Sequence, residues 1–314
     1  MKAIVLNNNL DFEYREMEIP EPKEGEILVK TAALSVNPVD VKTKQGGGAL
    51  FMLEKEDPKI LGWDISGVVE KVGQGVSDFN EGDAVFGMVN FPGHGKAYAE
   101  YVVAPEKHLA KKPENISHQE AAASTLAALT AWQAIMHNAK LKKGDRVLVH
   151  AGSGGVGHFA IQMAHHLDAY VIATSSQANK DFILSLGANE HIDYRKHNFE
   201  NAVKDVDLVL DAFGGEYPER SINVVRKGGK IISLPGPIDD TIVAKAKDQN
   251  IEAFFILVES SGSDMQRIAN LLSIEVIVPY IDAVYQFDEM EKAHQHIASG
   301  RTRGKVVINV VGNF

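Results

Sequence analysis

The chain has 314 residues, a net charge of −10 and no cysteine. That length exceeds what one core usually serves, so two domains are expected. The acid excess argues against a nucleic-acid partner, whose affinity comes from Lys and Arg neutralising phosphates. The missing thiols remove disulfides and every thiolate metal site.

No run approaches the roughly 18 apolar residues of a membrane span. Met1 to Leu6 enter a strand-like run without a signal-peptide layout. A cytoplasmic protein with no membrane partner is the expectation.

Residues 1–116 read as β-rich. Ile27–Lys30, Gly67–Val72 and Ala97–Val103 are short strand-like runs bounded by Gly, Pro and Asp, and Asp78–Asp83 reads as a turn. At Ser117 the texture changes: Ser117-His118-Gln119-Glu120 is a capping box opening an Ala-rich helix. From about 145 to 258 strands and helices alternate. Arg146–His150, Ala169–Thr174, Asp207–Asp211, Lys230–Leu234 and Glu252–Val258 are the strands. Val156, Ala160, Met163 and Leu167 fall at helical spacing, and a helix carrying Phe182, Ile183 and Leu186 ends at Gly187. Such alternation means a parallel, doubly wound sheet. The tail gives a helix begun by Asp288–Glu291 and stopped at Gly300, then a closing strand, Lys305–Val310.

The first βα turn reads Gly152-Ser153-Gly154-Gly155-Val156-Gly157. It follows a strand and opens a helix, which is the context the G-x-G-x-x-G pattern requires. Gly152 permits the tight turn, Gly154 lets backbone approach a pyrophosphate, and Gly157 lets helix and strand pack. The helix N-terminus supplies N–H groups for the phosphates. At the end of the second strand, NAD binders place an acid for the ribose 2′-hydroxyl. Here the segment is Thr174-Ser175-Ser176-Gln177-Ala178-Asn179-Lys180, with no acid at the strand end. Ser175, Ser176 and Lys180 suit a 2′-phosphate, so the expected cofactor is NADPH. The competing reading of Lys180 is a solvated surface lysine.

Asn37-Pro38-Val39-Asp40-Val41-Lys42, Leu61–Val69, Gly82–Gly87, Tyr98–Tyr101, Leu129–Trp132, Ala151–Gly157, Leu186–Ala188 and Gly304–Val307 follow one another in a familiar order. Over essentially its whole length the chain resembles the quinone oxidoreductases, zinc-free members of the medium-chain dehydrogenase/reductase superfamily. The resemblance implies an α/β protein with two parts. A GroES-like catalytic domain is built from 1–116 and 280–314, and a Rossmann domain spans 117–279. It also implies a homodimer, often formed by joining sheet-edge strands. Phe254–Leu257 is such an apolar strand, with a simple buried strand as the equal alternative.

Zinc alcohol dehydrogenases carry Cys where this chain has Asn37 and His where it has Trp63, and their third ligand falls at Leu126. None of these suits zinc, so no metal is expected. Asp64 remains, as one lone carboxylate. The structural zinc lobe is replaced by Met88–Lys96, where His94 reads as an isolated loop histidine. His294 and His296 are two apart on a helix and face different ways; these and His165-His166 read as surface residues. Without a Lewis acid, hydride transfer suits an acceptor that is already electrophilic, such as a quinone or an α,β-unsaturated carbonyl.

Reduction of such an acceptor builds negative charge on oxygen, which donors aimed at it stabilise. Asn37 and Lys42 are the candidate donors, because by resemblance their segment lines the nicotinamide pocket. Asp40 is expected to orient one of them; the plainer reading of Lys42 is a surface lysine paired with Asp40. By the same resemblance Thr130 contacts the nicotinamide and Tyr194 stacks near the 2′-phosphate. Ser233, Leu234 and Phe255 are expected near the nicotinamide half. Gln45–Glu56 reads either as a flap over the substrate or as an ordinary loop with an apolar anchor. An alkenal or enoyl-thioester reductase is the second enzymatic expectation, and an NADPH-binding protein without turnover is the third.

Overall fold

The computed structural model describes residues 1–310. The first third of the chain supplies β1 (Lys2–Leu6), β2 (Phe12–Glu16), β3 (Glu26–Val36), helix α1 (Pro38–Lys44), β4 (Lys59–Ile60), β5 (Asp64–Val72), β6 (Ala84–Met88), β7 (Tyr101–Pro105) and β8 (Ala110–Lys111). Helices α2 (His118–Ala123) and α3 (Leu126–Trp132) lead into an alternating stretch. It runs β9 (Arg146–Val149), α4 (Gly155–His166), β10 (Tyr170–Ser175), α5 (Lys180–Ser185), β11 (Glu190–Asp193) and α6 (Phe199–Ala202). It continues with β12 (Val206–Asp211), α7 (Tyr217–Ser221), β13 (Val225–Ser233), α8 (Asp240–Asp248) and β14 (Glu252–Phe255). The tail holds α9 (Gly262–Ser273), β15 (Ile281–Gln286), α10 (Met290–Ala298) and β16 (Lys305–Asn309).

The chain divides into two compact units. One comprises Met1–Leu129, Val258–Glu275 and the stretch from Pro279 onward; the other comprises Thr130–Leu257 and Val276–Val278. In the first unit the larger sheet runs β15-β16-β3-β5-β6-β8, with β7 also paired to β3, and a smaller sheet runs β2-β1-β4. Both contribute to one apolar core containing Ile4, Val29, Leu34, Ile65, Val102 and Ile308.

The expectation gave 117–279 to the nucleotide-binding part, whereas the structure gives α2 and α9 to the first unit. Packing explains this. Ala121, Ala122 and Ala123 are fully buried, and their small side chains let α2 lie on β3, β5 and β16. Helix α9 buries Met265, Ile268, Ala269 and Leu272, an i, i+3, i+4, i+7 stripe, and it packs on β8 and the turn before it. The expected strand 97–103 begins only at Tyr101, because Ala97 and Tyr98 bond back to Gly62 and Leu61.

The second unit is a six-stranded sheet in the order β11-β10-β9-β12-β13-β14, with every pairing parallel. Numbered from β9, that is the 3-2-1-4-5-6 order of a doubly wound fold, whose strand order reverses between β9 and β12. Leu148, Ile172, Val209 and Ile231 fill one face. The expected strand 252–258 ends at Phe255 and forms the sheet's edge.

Candidate active site

The loop after β9 is shaped by backbone. Ala151 adopts φ 51°, a left-handed conformation uncommon outside glycine, and Gly152 N–H donates to Thr174 O at 2.9 Å. A Cβ at Gly157 would lie 2.3 Å from the Ala151 carbonyl oxygen and 2.8 Å from Gly152 Cα, so only glycine lets α4 start this close to the loop. At Gly154, the residue before α4, a Cβ would meet only Ala151, at 3.2 Å and beyond. Its open side is a cradle that a side chain would fill. Gly155 and Val156 open the helix, whose free N–H groups suit a phosphate. Ser153 Oγ accepts from Asn179 Nδ2 at 3.0 Å, which ties the loop to the segment after β10. The residues present fit a dinucleotide.

Ser175 is buried, and its hydroxyl is engaged with Ser176 O at 3.0 Å and His191 Nε2 at 2.9 Å. Ser176 is half-buried and Lys180 exposed. Tyr194 follows the neighbouring strand, where its N–H reaches Ser175 O at 3.2 Å, and its ring is 47% exposed. The Arg195 guanidinium stands 5.7 Å from that ring's centre. Tyr194, Arg195, Lys196, His197 and Asn198 line a cavity of 340 Å³. Arg195 went unassigned in the sequence; its position one residue past Tyr194 was the available signal.

On the other side of β9, register aligns Asp211 with Ser233 and Ser233 with Phe255 at the strand ends. Ser233 Oγ donates to Gly236 O at 2.7 Å, and Leu234 N–H donates to Asp211 O at 2.9 Å. Thr130 is buried on α3.

In the first unit the structure assembles a buried polar cluster around Asn37. The Asn37 backbone N–H donates to Asp40 Oδ2 at 2.6 Å. Its side-chain Nδ2 donates to Asp64 Oδ2 at 2.7 Å. Lys305 Nζ donates to Asn37 Oδ1 and lies 3.9 Å from Asp64. Asp64 Oδ1 accepts from Leu126 N at 3.0 Å. Burial pushes the Asp40 carboxyl up to about 8, assisted by the Asp64 charge and opposed by the Asn37 N–H and Lys305. Burial also raises Asp64, against the pull of Lys305 and Asn37. The ammonium of Lys305 is itself pushed down by burial and held up by the two acids.

Lys42 lies on the same helix as Asp40 but is exposed, whereas Asp40 is fully buried. Asp64 had been set aside as a lone carboxylate and Lys305 passed over; an acid inside an apolar strand run and a lysine opening another were the available signals.

His294 is not a surface residue. It is 3% exposed, and its Nε2 meets the Tyr98 hydroxyl at 2.9 Å. His94 is not isolated either: its Nδ1 lies 3.0 Å from Glu56. In the 45–56 segment Leu53 is fully buried while Phe51 is 66% exposed. Trp63 is buried, with its indole N–H on Gly93 O at 2.7 Å. Among the described residues no group of three or more His, Asp or Glu side chains converges.

Comparison with known proteins places the fold in a family. A family model for the alcohol dehydrogenase GroES-like domain matches residues 23–114, and one described as zinc-binding dehydrogenase matches 186–308. A 2-methylene-furan-3-one reductase of Solanum lycopersicum is 34% identical over 302 residues, which cover 93% of this chain and 74% of that protein. The chain belongs to the medium-chain dehydrogenase/reductase superfamily. Within it, an Arabidopsis thaliana protein named NADPH-dependent alkenal/one oxidoreductase, chloroplastic, is 32% identical, covering 92% of this chain and 73% of that one. The solved structure of a quinone oxidoreductase from Coxiella burnetii superposes with a TM-score of 0.92 at 36% identity, over 99% of both chains. This medium-chain reductase therefore sits among proteins named quinone and enone oxidoreductases. Among the described residues no helix is long and apolar enough to cross a membrane.

Proposed function

We infer that this protein is an NADPH-dependent, zinc-independent oxidoreductase acting on quinones or α,β-unsaturated carbonyls. The observation that carries the reading is the glycine cradle opening α4, beside a β10 that itself ends without an acid and is followed by Lys180; the neighbouring Asp193, in register with Ser175, is buried and accepts from the Arg195 N–H. A carboxylate at the β10 end would repel a 2′-phosphate; Lys180, Arg195 and Ser176 attract one. The names of the tomato, Arabidopsis and Coxiella relatives support the acceptor class.

Bound NADPH supplies the hydride. Gly152–Gly157 hold its pyrophosphate. Ser176, Lys180, Tyr194 and Arg195 hold the 2′-phosphate end, with Ser175 shaping the turn from beneath. Thr130, Ser233, Leu234 and Phe255 serve the nicotinamide half. Negative charge that builds on the acceptor oxygen is met by N–H donors from Lys42 and Asn37. Asp40, clamped on the Asn37 backbone, sets the first turn of α1.

The free edge of β14 and the exposed Leu257 beside it support a homodimer, and light scattering of the purified protein tests that. A cytoplasmic location belongs to the same proposal, and cell fractionation tests it.

Purified protein offered quinone and enone panels should consume NADPH well ahead of NADH. The preferred panel then separates a quinone reductase from an alkenal or enoyl-thioester reductase. Tight NADPH binding without turnover on any acceptor overturns the enzymatic reading and leaves a non-catalytic binding protein.

A further inference from the structure

Lys305 is a buried charge that the reading above leaves without a task. It opens β16 and is 3% exposed, so its charge depends on fixed partners. Those partners are Asn37 Oδ1, which accepts from its ammonium, and Asp64, 3.9 Å away. An amide has an acceptor end and a donor end. With Oδ1 on Lys305 and Nδ2 donating to Asp64 at 2.7 Å, only one orientation of Asn37 works. A flip would set the amide NH₂ against an ammonium and its carbonyl oxygen against a carboxylate, and both contacts would turn repulsive together. Asn37 also precedes α1, the helix that carries Lys42.

We propose that Lys305 is a positioning residue for the reduction: its buried ammonium, with Asp64, locks the Asn37 amide in the orientation that leaves one Nδ2–H free to donate. This rests on the reading of Asn37 as a donor to the acceptor oxygen. A purely structural role is the rival, because Val306 pairs with Val36 and the ion pair could simply fasten β16 to β3. The two accounts part over what happens to turnover when the fold is kept.

The test compares Lys305→Met, Asp64→Asn/Lys305→Met, Asn37→Ala and Asn37→Ala/Lys305→Met by melting temperature, NADPH affinity, kcat and KM. The Asp64→Asn/Lys305→Met pair removes the ammonium and its nearer carboxylate together, so only Asp40, whose carboxyl burial already favours in its neutral form, is left in the cluster, and the fold should be kept where the single variant loses it. We expect its kcat to fall about tenfold or more, with NADPH affinity held within about twofold. Lys305→Met should add little to Asn37→Ala, because the amide it orients is already gone. A folded double-charge variant with parental kcat, alongside an impaired Asn37→Ala, makes Lys305 a strand fastener and overturns the proposal. Parental kcat in Asn37→Ala sinks the donor reading itself, so the two failures are told apart by that variant.

Discussion

The glycine loop of the second unit and the buried amide cluster of the first are built in opposite ways. The loop is made of consecutive residues, and backbone does its work: N–H groups, a left-handed Ala151 and a Cβ-free contact at Gly157. The cluster is made of side chains from residues 37, 40, 64 and 305, brought together by strand register. Asp64 pairs with Ser35 and Val306 with Val36, so two distant segments arrive beside Asn37. A site of the first kind fails where an added atom meets backbone, as at Gly157, or takes the ligand's space, as at Gly154. A site of the second kind tolerates shape changes but not unbalanced charge.

The largest effect should come from adding bulk to the loop. Gly157→Val drives a side chain into backbone 2.3 Å away and should cost about 3 kcal/mol of stability and abolish NADPH binding, read by thermal melts with and without cofactor. Gly154→Ala should melt near the parent yet bind NADPH more weakly, since its space faces the ligand. Equal behaviour of the two variants would break the comparison.

A smaller effect belongs to the cations at the 2′-phosphate end. Lys180→Ala/Arg195→Ala should lower the preference for NADPH over NADH about tenfold, or roughly 1.4 kcal/mol, in the ratio of kcat/KM values. An unchanged ratio would remove both residues from that role.

The charge side of the comparison is sharpened by pH. The folded carboxyl of Asp40 is raised from 3.8 to about 8 by burial. The folded state therefore keeps a proton that the unfolded chain gives up, and this contribution is lost as pH rises through that window. Asp40→Asn cannot titrate. Urea midpoints at about pH 5 and about pH 8 should show the parent losing stability relative to the variant on the alkaline side.

The smallest effect is expected at His150. Burial among Phe199, Phe213 and Tyr217 depresses its pKa from 6.5 to about 3. The fold refuses a proton that the unfolded chain takes, so stability is full above the unfolded value and falls as pH drops. His150→Phe should flatten that acid limb in the same urea series.

The loop was legible in the sequence because its pattern is local and its context, strand then helix, is local too. The alternation of 145–258 gave the parallel sheet for the same reason. The amide cluster was half legible. Asn37 and Asp40 share one short motif, but Asp64 and Lys305 acquire meaning only once β3, β5 and β16 are in register. Two-residue spacing told that His294 and His296 face apart, not that His294 turns inward onto Tyr98 while His296 meets Asp282. The unit boundary was misjudged at α2 and α9 because a helix's pattern says that it packs, not on what. Ser175 looked open to a phosphate; His191, from the next strand, takes its hydroxyl.

The most direct test of the account is a single turnover. Protein loaded with NADPH is mixed with its best quinone or enone, and oxidation is followed in the parent and in Lys42→Ala, with NADPH affinity measured on the same samples. The account predicts rapid oxidation in the parent, and in the variant a rate at least about tenfold lower at unchanged NADPH affinity. A variant rate within about twofold of the parent would take Lys42 out of the chemistry, and a parent that binds NADPH but never oxidises it would contradict the whole reading.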